Sequence, residues 1–101
     1  MGKDETRIDK YLWSIRVYKT RSLATEACKK GRVTISDMPV KPSRTVSEGE
    51  IIQVKKPPVV YSYRVLEPIQ NRVGAKLVHQ FMEDITPPEE LEKLKMDDDF
   101  Y

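Results

Sequence analysis

The sequence predicts an α+β domain: two N-terminal helices packed on a small, mostly antiparallel sheet, with a strand and a helix added after them. Apolar residues recur at helical spacing up to residue 30, and the period changes to two after Gly31. Pro57-Pro58 then precedes another strand pattern and another helical one. With 101 residues, the chain is expected to form one domain with an appendage.

The first helix is expected to begin at Thr6, because Thr6 followed by Asp9 fits a capping box. Asp9 is therefore interpreted as a helix cap. Trp13 lies away from the apolar stripe, and we expect it to pack against the C-terminal extension. The stripe itself consists of Ile8, Tyr11, Leu12 and Ile15.

The second helix is predicted over residues 21–30, with Thr20 as its N-cap. Lys29 and Lys30 precede Gly31, which is typical of a helix end, where cations face the negative terminus and glycine adopts positive φ. The predicted buried edge is Leu23, Ala24, Ala27 and Cys28.

Short strands and turns follow. Alternation and β-branched residues predict strands over 32–36 and 51–55, with turns over 37–39 and 47–50. Residues 40–46 are expected to form at most a short edge strand, because Pro42 cannot donate to a ladder.

The C-terminal extension has its own pattern. It predicts a strand over 59–66 with Tyr61 and Tyr63 on one face, an amphipathic helix over 72–84, and a short helix from Thr86-Pro87-Pro88 to about residue 95. The expected organisation is a flexible N-terminus (1–6), a basic domain (7–56), the extension (57–95) and a disordered acidic tail (96–101).

Charge is divided between the two halves. Residues 1–56 contain 13 Lys and Arg against 7 Asp and Glu, whereas residues 57–101 contain 5 against 9. A basic half indicates a polyanion partner, most often nucleic acid. The single cysteine, Cys28, excludes an internal disulfide, and His79 has no neighbouring ligand. We expect no metal, cofactor or catalytic residue, no membrane span, and a cytoplasmic protein.

A family resemblance adds to this interpretation. Three segments resemble the S4 RNA-binding domain and its αL motif. They are residues 7–12 (Arg-Ile-Asp-x-x-Leu), 20–24 (Thr-Arg-Ser-x-Ala) and 31–35 (Gly-x-Val-x-Ile). The longer strings at 9–13, 18–24 and 40–44 resemble the bacterial heat shock protein 15 family. The resemblance covers about residues 7–56. It implies an S4-like fold and the binding of structured RNA, namely ribosomal RNA of the large subunit and possibly tRNA. It also implies a role in rescue of subunits that carry a stalled nascent chain on tRNA. The chain is expected to be a monomer.

Candidate RNA-binding residues flank the core-facing positions of this basic domain. They lie on the edge of helix one, at both ends of helix two, and in a loop held extended by two prolines. The start of helix two is included because helix N-termini bind phosphate favourably. They are Arg7, Lys10, Lys19, Thr20, Arg21, Ser22, Lys29, Lys30, Arg32, Lys41, Ser43 and Arg44.

Two alternatives stay open. The domain is also used as an RNA-docking module of RNA-modifying enzymes, although this chain has no room for a catalytic domain. The second alternative is a protein-interaction adaptor that uses the apolar C-terminal helix predicted over 72–84. Salt separates these functions, because nucleic-acid binding weakens steeply as salt rises and apolar docking does not.

Overall fold

The computed structural model describes the backbone of residues 6–99 and the side chains of residues 6–95. Residues 1–5, 100 and 101, which include most of the predicted flexible N-terminus and the end of the predicted tail, lie outside the described part. The helices are α1 (Ile8–Ser14), α2 (Arg21–Lys29), a 3₁₀ helix (Ala75–Gln80) and α3 (Pro88–Asp99). The strands are β1 (Thr6–Arg7), β2 (Val33–Ile35), β3 (Met38–Pro39), β4 (Thr45–Val46), β5 (Ile51–Lys56), β6 (Val59–Val65) and β7 (Met82–Asp84).

The predicted α+β class is confirmed. Five strands form an antiparallel sheet in the order β3-β2-β5-β6-β7, and β1 pairs with β4 in a separate two-stranded sheet. The longest pairing joins β5 to β6, from Ile51 opposite Arg64 to Lys56 opposite Val59. Pro57 and Pro58 form the turn of this hairpin. The sheet therefore continues from the basic half of the chain into the extension.

The core lies between the two N-terminal helices and the sheet. The predicted stripe of α1 is confirmed, since all four of its residues are at most 2% exposed. Cys28 of α2 is buried as expected, and burial raises the pKa of its thiol to about 11. Leu23 is instead 50% exposed. At 100° per residue it lies roughly 90° from the centre of the buried arc formed by Ala24, Ala27 and Cys28.

The capping box predicted for α1 is wrong. The N-cap is Arg7, and Thr6 lies in β1, where its hydroxyl donates to the Pro68 carbonyl at 3.2 Å. The first-turn N–H groups of the helix find acceptors elsewhere: Ile8 N donates to Arg44 O at 2.7 Å and Asp9 N to Pro42 O at 3.4 Å. Because a distant loop supplies these acceptors, α1 needs no side-chain cap.

The amphipathic helix predicted over residues 72–84 is also wrong. The segment forms the 3₁₀ helix and then β7, which pairs with β6. The Phe81 carbonyl accepts hydrogen bonds from the Tyr11 hydroxyl at 2.8 Å and from the backbone N–H groups of Leu66 and Glu67. Residues 82–84 cannot both pair with β6 and continue a helix, so tertiary pairing overrides the helical apolar spacing.

Smaller differences concern element ends. The turn predicted at 37–39 lies at Ser36-Asp37, both with positive φ (54° and 64°), and Met38–Pro39 pairs with β2. Such φ values suit a two-residue hairpin, because their twist matches that of the strands. Helix α3 begins at Pro88 as expected but reaches Asp99, beyond the predicted end near residue 95. Among residues 6–99, no helix is both long and apolar enough to cross a membrane.

Candidate nucleic-acid interface

A buried carboxylate organises the start of the two N-terminal helices. The side chain of Asp9 is 1% exposed and forms two hydrogen bonds with Arg7, Nε–Oδ1 at 3.2 Å and Nη2–Oδ2 at 2.9 Å. Arg21 Nη2 lies 3.8 Å from Oδ1, and the Thr25 hydroxyl donates to Oδ2 at 3.0 Å. Asp9, interpreted from sequence as a helix cap, instead holds together two arginine side chains that are 46% and 44% exposed.

We refer to Arg7 and Arg21 as the arginine pair. Arg7 is brought there by β1, whose pairing with β4 places it opposite Thr45. Arg21 is the first residue of α2, where the predicted Thr20 cap is confirmed: its side chain accepts from Leu23 N at 3.1 Å. Arg21 and Ser22 are both exposed in the first turn, where backbone N–H groups lack intrahelical acceptors. Guanidinium groups and a helix N-terminus together suit a phosphate.

The loop over residues 40–44 lies beside this pair. Its Pro42 and Arg44 carbonyls accept from the N–H groups of Asp9 and Ile8. Lys41 and Ser43 are exposed in it. Lys10, on α1, is half-buried. The backbone contacts therefore bring this predicted loop next to the arginine pair.

The guanidinium of Arg44, like that of Arg7, is engaged by a carboxylate. It forms two hydrogen bonds with Glu50, Nη2–Oε2 at 2.7 Å and Nη1–Oε1 at 3.1 Å, and donates to the Thr45 carbonyl at 3.0 Å. Hydrogen bonding to Glu50 raises the pKa of Arg44, and the same bond lowers the pKa of Glu50. A phosphate at Arg44 has to compete with this carboxylate.

A second group of cations lies at the other end of α2. Lys29 and Lys30 are exposed there, and Gly31, with φ +75°, turns the chain toward exposed Arg32. With nine residues, α2 places this end about 14 Å from Arg21. Lys19, in the connection between α1 and α2, is exposed. The predicted residues thus fall into two groups separated by the length of α2.

Sequence reasoning missed two lysines of this second group. The Lys55 N–H donates to the Arg32 carbonyl at 2.8 Å, so β5 brings Lys55 and Lys56 beside the end of α2. Lys56 Nζ lies 4.6 Å from the centroid of the Tyr18 ring and donates to the Val17 carbonyl. Burial lowers the pKa of Lys56. No local sequence signal places these two lysines there, because the pairing of β5 with its neighbours brings the Lys-Lys dipeptide to this position.

Two further arginines serve the contact between α1 and the extension. Arg72 Nη1 donates to the carbonyls of Trp13 and Tyr18 at 3.0 and 3.2 Å, and its guanidinium lies 5.6 Å from the Trp13 ring centroid. Arg16 Nη1 donates to the Val73 carbonyl at 3.2 Å. The expected contact of Trp13 with the extension is confirmed. His79, by contrast, is exposed on the 3₁₀ helix, and no metal-competent group of three His, Cys, Asp or Glu residues occurs in the described part of the chain.

Comparison with known proteins places this geometry in context. Residues 6–52, which include the arginine pair, match the S4 domain. The chain is 35% identical over 80 residues to a heat shock protein 15 homolog of Aeromonas salmonicida, covering 79% of this chain and 61% of that protein. It is 34% identical over 77 residues to an RQC P-site tRNA stabilizing factor of Helicobacter pylori, covering 75% of this chain and 92% of that protein.

A solved structure extends the similarity to the extension. The fold matches trimeric heat shock protein 15 of Vibrio cholerae with a TM-score of 0.78 and 29% identity, over 92% of each chain. That protein is trimeric in its solved structure, whereas a monomer is expected for the present chain. The monomer stays a prediction.

Proposed function

Because this chain belongs to the S4-domain family that includes heat shock protein 15 and the RQC P-site tRNA stabilizing factors, we propose that it binds structured RNA. The match to the heat shock protein 15 homolog spans about three fifths of that protein's length.

The observation that carries the proposal is the arginine pair fixed by buried Asp9. Arg7 bonds twice to the buried Asp9 carboxylate and Arg21 lies 3.8 Å from it, so both guanidinium groups are restrained, yet both are nearly half exposed. Arginine binds phosphate in a bidentate manner, and a fixed donor pair reads the spacing of phosphates better than flexible lysines do. The N-terminus of α2 adds backbone donors at the same place. This arrangement suits the backbone of folded RNA, which proteins recognise largely by shape.

We further propose that the RNA is ribosomal RNA of the large subunit, and that the protein acts on subunits that carry a stalled nascent chain on tRNA. The names of the related P-site tRNA stabilizing factors support this more specific assignment. In this proposal the protein is a non-enzymatic factor in the cytoplasm that stabilises an existing complex. Lys10, Lys19, Lys41 and Ser43 contribute further contacts at the rim of the surface.

The adaptor alternative loses the feature on which it depended. Residues 72–84 form a 3₁₀ helix and a sheet strand, and Phe81 and Met82 pack against the core. Val78, Phe81 and Met82 therefore stabilise the domain itself, whereas Leu77 is 46% exposed.

A binding titration with an RNA hairpin tests the proposal. Neutralising one member of the pair, Arg21→Gln, removes a phosphate donor without creating repulsion with Asp9. Lys76→Gln is the matched control, because Lys76 is exposed in the extension. We expect weaker binding for Arg21→Gln alone; equal affinities for both variants and the parent would contradict the proposal.

A further inference from the structure

A cavity lies along α2, from Leu23 in its first turn to Lys30 at its C-terminal end. At 100° per residue, this side of the helix faces roughly opposite Arg21. The volume of the cavity is about 270 Å³. Tyr18, Leu23 and Ala27 provide apolar wall, and the cations Lys30, Arg32, Lys55 and Lys56 line it together with Glu26. The cavity thus combines apolar surface with a strongly basic lining.

We propose that this cavity binds one unpaired nucleotide of the RNA. The inference rests on the proposed function and deepens it, since it assigns a second, chemically different contact to the same ligand. In this assignment the arginine pair holds the phosphates of the paired region, and the cavity receives a base that has left the stack.

The composition of the cavity distinguishes a nucleotide from a bare phosphate. Phosphate contacts need donors alone, whereas an unstacked base needs apolar surface as well. Leu23 supplies that surface: half of it is exposed, although it lies on a helix whose neighbouring alanines are buried. Tyr18 is half-buried beside it. Burying part of a leucine against a base removes apolar area from water and stabilises the complex.

The charges fit the rest of the nucleotide. Lys30, Arg32 and Lys55 are exposed and form no ion pair with another described residue, so their donors are free for phosphate. The ammonium group of Lys56 is held over the Tyr18 ring and fixes that wall. The exposed Glu26 carboxylate is an acceptor and matches the exocyclic amino group of a base.

The size of the cavity argues for a single residue of RNA. Drug-sized ligands usually occupy pockets of about 300–1,000 Å³. At about 270 Å³, this cavity is large enough for one small planar group. The adjacent cations then hold the flanking phosphates outside it.

The test uses the full chain and two RNA hairpins that differ only by a one-nucleotide bulge. Leu23→Ala keeps the helix, because alanine is the best helix former. Leu77→Ala is the matched control, since Leu77 is 46% exposed in the extension. Affinities are measured by fluorescence anisotropy. We expect Leu23→Ala to lose roughly fivefold in affinity for the bulged hairpin and to bind the paired hairpin like the parent. Leu77→Ala should leave both affinities unchanged.

A second variant separates this inference from the proposed function. Arg32→Gln should weaken binding of both hairpins, with the larger loss for the bulged one. Equal affinity of parent and Leu23→Ala for the bulged hairpin would overturn the nucleotide site and leave the proposed function standing. Failure of the parent to bind either hairpin would overturn both. Titration of the parent with a nucleoside monophosphate should shift the amide resonances of Leu23, Ala27 and Lys30, and unchanged resonances would also count against the site.

Discussion

Arg7 and Asp9 form a bidentate ion pair at the start of α1, with N–O distances of 3.2 and 2.9 Å. The carboxylate is buried and the guanidinium is nearly half exposed. An acidic residue in a basic surface ordinarily weakens the binding of a polyanion. Here the geometry indicates the opposite, because the carboxylate fixes the direction of Arg7 and lies within 3.8 Å of Arg21.

Replacing Asp9 tests this positioning role. Asp9→Asn raises the net charge by one, so electrostatics alone predicts tighter RNA binding. We expect affinity to fall by roughly tenfold instead, because the charge-assisted bonds that orient Arg7 and the ion pair with Arg21 are lost. Glu48→Gln is the control, since it removes an exposed carboxylate of the 47–50 turn and should leave affinity equal or slightly higher.

Asp9→Asn is also expected to lower the stability of the fold, so binding has to be measured where the variant is folded. Loss of buried hydrogen bonds should lower the free energy of unfolding by about 1–3 kcal/mol. Binding is therefore measured at a temperature where circular dichroism shows both variants folded. Affinity of Asp9→Asn that matches or exceeds that of Glu48→Gln would show that Asp9 has no positioning role.

Salt dependence tests whether Arg21 contacts phosphate. The logarithm of the binding constant falls linearly with that of salt concentration, and the slope reflects the number of neutralised phosphates. We expect Arg21→Gln to reduce the slope by about one, and Lys76→Gln to leave it unchanged. A parallel line for Arg21→Gln, displaced without a change of slope, would mean that Arg21 acts on folding or shape and not on a phosphate.

The Arg44–Glu50 pair is expected to contribute stability that depends on pH. The pKa of Glu50 is lowered in the folded state, chiefly by its hydrogen bond to Arg44. Its contribution is therefore present above the unfolded-state pKa and is lost as pH falls through the lower folded-state pKa. Because both side chains are partly exposed, we expect Glu50→Gln to cost about 0.5–1 kcal/mol at pH 7. Urea denaturation should show that difference shrinking below about pH 4; a constant difference would contradict the assignment.

The Tyr11 hydroxyl is expected to fix the extension to α1. Tyr11→Phe removes its hydrogen bond to the Phe81 carbonyl and should lower the free energy of unfolding by about 1 kcal/mol. Tyr61→Phe is the matched control, since the Tyr61 hydroxyl has no hydrogen bond to a described residue and the ring stacks on Tyr63. Thermal unfolding measures both variants, and equal melting temperatures would indicate that the bond adds nothing net.

Local signals in the sequence were sufficient for much of the basic domain. The Thr20 cap, the apolar stripe of α1 and the helix end before Gly31 each depend on neighbours within a few residues, and the structure confirms them. The S4 resemblance likewise agrees with the matched residues 6–52.

Features that depend on distant partners were beyond sequence reasoning. Thr6 and Asp9 fit a local capping box, but Thr6 bonds to Pro68, and Asp9 contacts Arg21 and Thr25 of α2. The apolar spacing over residues 72–84 suits an α-helix, yet pairing of β7 with β6 determines the outcome. The sequence-based prediction of the second basic group was incomplete for the same reason, because Lys55 and Lys56 join that group only through the sheet.

Co-sedimentation with ribosomal subunits tests the central claim most directly. Purified large subunits are mixed with the parent protein or with an Arg7→Gln/Arg21→Gln double variant and separated on a sucrose gradient at fixed salt. The account predicts that the parent migrates with the large subunit and that the folded double variant stays at the top of the gradient. Migration of both proteins with the large subunit to the same extent, or of neither, would contradict it.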